Sequence, residues 1–300
     1  MGFALVFSGQ GMQHPDMLPW LAGDALVEKT GAMLGVSDWR AQLNDADWAS
    51  NNANAQVLLT GMNLAAWRQL SQSLPPPAAV AGYSVGELAS FAAAGVFDAD
   101  TALALASTRA QLMDECALRA PGGLLAVSGL QGSQIAHLCA ETGAAVAIDN
   151  GPLAVVLGGT HAALDAAVRA VEAAGAHCTR LKVNAASHTP WMQDAATAFF
   201  ETLSSMPLRA PRIPLFSDAA DRITSGAQAT HALAAQIAQT VGWSACMDNI
   251  HMRQVGCVIE VGPGAALARM WNQRFPAVPA RSVDEFRSAS AIVDWVARHS

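Results

Sequence analysis

The segment Gly82-Tyr83-Ser84-Val85-Gly86 spaces two glycines around a serine, and its flanks say what the bend connects. Upstream, Pro75-Pro76-Pro77 opens into the apolar Ala78-Ala79-Val80, the run of a short buried strand; downstream, residues 85–94 are mostly helix formers. Strand, sharp turn and helix together make the nucleophile-elbow arrangement. The serine there takes a strained backbone angle, and a Cβ at either glycine would strike neighbouring backbone. The bend presents the Ser84 hydroxyl outward, while the Val85 N–H, with a helix dipole behind it, faces any oxyanion formed on a carbonyl that Ser84 attacks. In a chain with 24 glycines such a pattern also arises by chance, so the strand and helix around it are what give it weight.

An elbow of this kind belongs in a parallel α/β sheet, and other segments supply one. Residues 2–7 are a short apolar run that ends in Ser8-Gly9-Gln10-Gly11, a Gly-x-Gly loop at the carboxyl end of its strand. This loop lacks the Walker lysine and the third glycine of the dinucleotide fingerprint, so a second oxyanion donor is a better use for it than a phosphate cradle. An amphipathic helix is expected over 56–74, with Val57, Leu58, Met62, Leu64, Ala65 and Leu70 on its buried side. Another, over 100–118, carries Arg109 in its middle. Because that helix follows the elbow helix, Arg109 either points toward the serine or, as charges on helices usually do, toward solvent. Strands at 213–217, 255–261 and 280–283 and helices at 230–241, from 243 to about 254 and from about 284 complete the core.

Between these parts the texture changes. Strand 122–128, helix 132–142, strands 144–148 and 153–157, helix 160–174 and strand 177–183 follow the β-α-β-β-α-β order of a ferredoxin-like unit. The expected fold is therefore an α/β-hydrolase-like parallel-sheet core, made of 1–120 and 188–300, with a ferredoxin-like subdomain inserted at 121–187. His188 follows the insertion directly, in the serine-before-histidine order of α/β-hydrolase-like enzymes, and is the candidate base among 8 histidines. Asp149 lies inside the insertion, leaving no obvious acidic residue ahead of His188 to complete a triad. A backbone carbonyl would then fix its tautomer.

Composition excludes several function classes. A formal net charge of −7 with only two lysines offers no basic stripe for nucleic acid. The five cysteines, Cys116, Cys139, Cys178, Cys246 and Cys257, contain no C-x-x-C pair, which fits a reducing cytoplasm and neither a disulfide framework nor a metal site. No stretch approaches ~20 consecutive apolar residues and no charged n-region opens the chain, so neither a membrane span nor a signal peptide is expected.

Phe7-Ser8-Gly9-Gln10-Gly11, Gly82-Tyr83-Ser84-Val85-Gly86-Glu87, Arg109 with Gln111-Leu112-Met113, Ser187-His188, Val241-Gly242-Trp243 and Glu260-Val261-Gly262-Pro263-Gly264 occur in this order from end to end. Together they resemble the malonyl-CoA:acyl-carrier-protein transacylase family. The resemblance implies that Ser84 is a nucleophile acylated in a ping-pong cycle, with His188 as its base. It implies the N–H groups of Gln10 and Val85 as the oxyanion hole and Arg109 as a fork on the malonyl carboxylate, with Gly9, Gln56 and Gly242 also lining the substrate site. Malonyl-CoA would be the donor, an acyl carrier protein the acceptor, and no cofactor would be bound permanently. The physics agrees: a planar guanidinium holds a carboxylate by two parallel charge-assisted bonds and rejects acetyl groups, which have none.

The chain also departs from that pattern. Tyr83 and Val85 stand where the family commonly has histidine and leucine, and Gly242 where it has a glutamine whose main-chain carbonyl is thought to hold the base. Gly-Tyr-Ser-Val-Gly-Glu looks most like the epsilon (transacylase) subunit of malonate decarboxylase, whose acceptor is a carrier subunit with a phosphoribosyl-dephospho-CoA arm. The alternatives are a fatty-acid-synthesis malonyl transacylase, a Ser-His thioesterase or esterase, and a non-catalytic docking subunit. Arg180 and Lys182, or Arg212 and Arg274, are the candidate cations for carrier docking.

Overall fold

In the computed structural model, which describes residues 2–300, large and small side chains alternate along the first strand. Residue 1 of the expected core segment lies outside the described residues. In chain order the strands are β1 (Phe3–Phe7), β2 (Ala79–Gly82), β3 (Gly122–Ser128), β4 (Ala145–Gly151), β5 (Ala154–Thr160), β6 (His177–Arg180), β7 (Leu215–Phe216), β8 (Arg222–Ile223), β9 (Cys257–Val261) and β10 (Ala280–Ser282). Phe3, Leu5 and Phe7 on β1 join one apolar cluster while Ala4 and Val6 join another, so β1 is buried on both faces. A strand in that position needs covered, parallel neighbours. The main sheet supplies them, in the order β10-β9-β1-β2-β7-β8, with every pairing parallel except β7 with β8.

The alternation in size decides what covers each face. Phe3, Leu5 and Phe7, each contributing roughly 1.5–3 kcal/mol by burial, share a cluster with residues of helices Asn52–Leu70, Gly86–Ala93 and Ala99–Arg119. The small side chains of Ala4, Ala79 and Ala81 leave room on the other face for Trp243 and Trp271, both fully buried. The loop bearing Gln10, the Ser84 elbow and Gly262 follow β1, β2 and β9, so all three gather at the carboxyl edge of the sheet, where α/β proteins place their sites.

The second sheet is antiparallel, in the order β4-β5-β3-β6, with helices Gly132–Thr142 and His161–Ala173 between its strands. Leu125, Val127 and Leu157 pack against those helices. Leu124, Ile148 and Val156 share the cluster of Trp243 and Trp271.

Several elements differ from the sequence expectation: the helix expected over 230–241 runs Gly226–Ala238 from a Ser225 cap, the strand expected over 177–183 ends at Arg180, and three others shift as follows. The helix expected over 56–74 runs Asn52–Leu70: the Asn51 side chain accepts the Asn54 N–H and starts it early, and it is buried nearly all round instead of along one side. The strand expected at 213–217 shrinks to β7, because Pro214 gives its carbonyl to Val80 but has no N–H, and Ser217 N–H turns to the Asp221 carbonyl. The C-terminal helix begins at Ala289, after a short turn, Val283–Glu285, capped by Ser282.

The elbow needs both of its glycines. A Cβ on Gly82 would run into the backbone of Gly86 and Glu87, and one on Gly86 into the Phe7 carbonyl. Gly86→Ala is expected to lower stability by about 1–3 kcal/mol, read as a lower urea midpoint at unchanged slope. An unmoved midpoint would mean that the elbow does not need its close approach to β1.

Candidate active site

Ser84 bridges the end of β2 and the start of helix Gly86–Ala93 with φ of 53°, a left-handed conformation that costs a non-glycine residue roughly 1–2 kcal/mol. His188 has φ of 63°. Strain at both residues is held by the surroundings. Ser84 Oγ lies 2.8 Å from His188 Nε2, and His188 Nδ1 lies 2.6 Å from the main-chain carbonyl oxygen of Gln236. A carbonyl only accepts, so Nδ1 carries the hydrogen and Nε2 is free to take the serine proton. Helix Gly226–Ala238 ends here, and its last carbonyls have no partners within the helix. Two of them are taken by His188, Gln236 O by the ring and Ile237 O by the His188 main-chain N–H at 2.9 Å. The negative end of that helix faces the ring that must become cationic. Gly242 is not the base's partner, contrary to the sequence reading. Its N–H donates to the Asp218 carbonyl at 2.6 Å, and the glutamine carbonyl stands six residues earlier, at Gln236.

Arg109 is 2% exposed, so the solvent-facing alternative is wrong. Its Nη1 donates to Gln56 Oε1 at 2.7 Å and its Nη2 to Gln236 Oε1 at 2.9 Å. Gln56 in turn donates to Asn52 Oδ1 at 2.8 Å, so it orients the fork. Gln236 Nε2 donates to the Ser84 carbonyl and to Asp218 Oδ1, both at 3.0 Å, while the Ser84 N–H donates to Asp218 Oδ2 at 2.9 Å. Glu87 Oε1 accepts the Asp218 N–H at 2.7 Å.

Burial dominates the electrostatics. It lowers His188 to a pKa of about 3, helped by the Arg109 charge and opposed by the Gln236 carbonyl. It lowers Arg109 to about 10, which leaves the guanidinium charged. Burial first and mutual repulsion second push the Glu87 carboxyl well up, and burial likewise raises Asp218. A depressed histidine pKa means that the unfolded chain binds more protons below its ordinary value of about 6.5. His188 therefore contributes stability that is full above pH 6.5 and lost as the pH falls toward 3. Between those limits wild type is expected to lose stability relative to His188→Gln by up to about 1.4 kcal/mol per pH unit, measured by urea unfolding at stepped pH. Parallel curves for the two proteins would refute a neutral buried ring.

Gln10 and Val85 have main-chain N–H groups without an acceptor among the described residues, and Val85 opens helix Gly86–Ala93. Gly9 brings the two loops together: a Cβ there would lie 2.7 Å from the Tyr83 carbonyl oxygen. Two hollows meet at Gln10. One of about 600 Å³ reaches Asn52, Asp114, Leu118 and Asn184, and one of about 550 Å³ reaches Met12, Arg180 and Lys182. A larger hollow of about 770 Å³ lies between Leu130, Val146, Val155 and Ser244 and contains no residue of this site. Convergent polar groups, not size, locate the site. Of the proposed docking cations, Arg180 pairs with Asp165 and Arg274 with Asp248, Arg212 lies against Gly95, and Lys182 is exposed.

The sequence profile described as "Acyl transferase domain" matches residues 4–292. The chain belongs to that family. Among its acyl transferase relatives, the malonyl CoA-acyl carrier protein transacylase of Salmonella typhimurium is 30% identical, the match covering 96% of this chain and 98% of that protein. The acyl-carrier-protein S-malonyltransferase of Burkholderia pseudomallei superposes with a TM-score of 0.90 at 30% identity, over 98% of this chain and 100% of that one. A malonyl-transacylase solved in complex with a type II PKS acyl-carrier protein gives 0.90 at 28%, over 98% and 99%.

Within this acyl transferase, Tyr83 ties the elbow to the second sheet. Tyr83 Oη donates to Asn150 Oδ1 on β4 at 3.1 Å, and its ring sits edge-on to Trp243 at 5.4 Å. The sequence reading missed Gln236 and Asp218. A signal existed for Asp218, which stands two residues past the carboxyl end of β7. None existed for Gln236, whose part depends on where a helix happens to end. Among the described residues no group of three or more His, Cys, Asp or Glu side chains could hold a metal ion, and no helix is long and apolar enough to cross a membrane.

Proposed function

We propose that this acyl transferase moves a malonyl group from malonyl-CoA through a Ser84 ester to the thiol of an acyl carrier protein's prosthetic arm. The observation that carries the reading is the buried Arg109, whose hydrogen-bond partners are two neutral amides, one of which also holds the Ser84 carbonyl. A fork so placed suits an anionic acyl group on that serine.

His188 Nε2 takes the Ser84 proton as Oγ attacks the thioester carbonyl. The oxyanion lies between the N–H groups of Gln10 and Val85. Collapse breaks the carbon–sulfur bond, and the departing CoA sulfur receives the proton from His188. In the second half the carrier thiol gives its proton to the same nitrogen and attacks the ester, and Ser84 recovers the proton as it leaves. The second sheet, read as the inserted subdomain over 121–187, would form the far wall of the groove at Gln10. A CoA thioester as donor suits an enzyme of the cytoplasm.

For the acceptor, we propose the carrier subunit of a malonate decarboxylase, on the strength of Gly-Tyr-Ser-Val-Gly-Glu and the Tyr83 contact it creates with Asn150. The relatives act on an acyl carrier protein, in one case that of a type II PKS, which favours a carrier of that kind. Intact-mass measurement decides: the protein mixed with malonyl-CoA is expected to gain one malonyl group, then lose it to the preferred carrier. Rapid release of free malonate with no stable ester would support a thioesterase instead.

A further inference from the structure

One carboxylate beneath the elbow touches the nucleophile's main chain and the residue behind the base, yet no step above uses it. Arg109 can only donate, so the Gln236 side chain must turn its oxygen to the guanidinium and its NH2 group to Ser84 O and Asp218 Oδ1. The Ser84 N–H takes Asp218 Oδ2. The position therefore demands two acceptors, which a carboxylate has and an amide lacks. Asp218 is itself gripped on both sides: its N–H by Glu87 from the elbow helix, its carbonyl by the Gly242 N–H. It is 4% exposed.

We propose that Asp218 is a positioning residue for the transfer, gripping the Ser84 N–H and the Gln236 side-chain amide together so that the elbow and the carbonyl behind His188 keep one geometry. In a serine-histidine site whose ring is held by a main-chain carbonyl, this carboxylate acts one residue removed: it orients the orienter. The inference rests on the malonyl-transfer reading. Both Asp218 oxygens accept N–H groups, and Glu87 lies beside them with one oxygen on the Asp218 N–H. In an isosteric Asp218→Asn the new NH2 group opposes either the Ser84 N–H or the Gln236 amide.

Rapid-quench acylation by malonyl-CoA tests this. Asp218→Asn is expected to slow ester formation on the order of 10–100-fold, and the return step to the carrier thiol by a similar factor, because His188 serves both. Malonyl-CoA affinity, measured by calorimetry with Ser84→Ala and with Ser84→Ala plus Asp218→Asn, is expected to agree within about two-fold. Adding Gln236→Met, which keeps the main-chain carbonyl but also removes an Arg109 partner, is expected to be less than additive with Asp218→Asn on the acylation rate, since both sever the Asp218–Gln236 link. Acylation within about three-fold of wild type, or affinity falling as far as the rate, overturns the positioning role. Should Asp218→Asn not fold, Gln236→Met is read at saturating malonyl-CoA, where its loss of an Arg109 contact weighs least, and an undiminished acylation rate overturns the proposal. Wild type that forms no ester sinks the malonyl-transfer reading itself; wild type that labels while Asp218→Asn labels as fast sinks this inference alone.

Discussion

Ser84→Ala is expected to leave a folded protein that gains no mass from malonyl-CoA and transfers malonyl groups 10⁴–10⁶-fold more slowly than wild type. The size follows from the covalent route, because no other hydroxyl shares the elbow, the free N–H groups of Gln10 and Val85, and a ring nitrogen at 2.8 Å. His188→Ala is expected to lose nearly as much and the double variant hardly more, since nucleophile and base act as one unit. The alanine also removes no buried packing, as Ser84 is only half-buried, so the thermal midpoint is expected to stay within a few degrees. Transfer by Ser84→Ala within ten-fold of wild type would end the acyl-enzyme mechanism and make the chain a docking subunit.

What the sequence disclosed follows from how local each feature is. The elbow was legible because strand, bend and helix lie within fifteen residues and the glycines have one steric reason to be there. The ferredoxin-like order was legible for a similar reason, since each strand and helix between 122 and 180 carries its own apolar pattern. Arg109 was ambiguous because its burial comes from two other helices, one bringing Gln56 and the other Gln236, and nothing in its own helix records that. Placing the base's partner at Gly242 failed for a related reason: the carbonyl belongs to the last turn of a helix, and the orphaned groups of a helix end show only once the end is known. Asp218 carried only a positional signal, two residues past β7; what turns its carboxylate under the serine is the loop in which the Ser217 N–H leaves the sheet for the Asp221 carbonyl, a contact that no local pattern records.

Arg109→Ala is expected to reverse the acyl preference, cutting malonyl transfer by about 10²–10³-fold while acetyl transfer from acetyl-CoA stays within a few-fold. The loss is one-sided because removing one member of a buried ion pair strands the other: the malonyl carboxylate would enter a pocket lined by the Gln56 and Gln236 amides, with Glu87 and Asp218 beyond them. Acetyl has no charge to strand, and in wild type it leaves the guanidinium with its two amide partners and no carboxylate. Arg109→Lys separates charge from shape. It keeps a cation but not the planar fork that spans Gln56 and Gln236, so roughly a ten-fold loss on malonyl is expected, between wild type and alanine. Competitive labelling with malonyl-CoA and acetyl-CoA in one mixture, read by intact mass, gives the ratio directly and is insensitive to the fraction of active protein. An unchanged ratio in Arg109→Ala would mean that the carboxylate is recognised elsewhere, and the exposed Lys182 at the mouth of the groove would be the next cation to test.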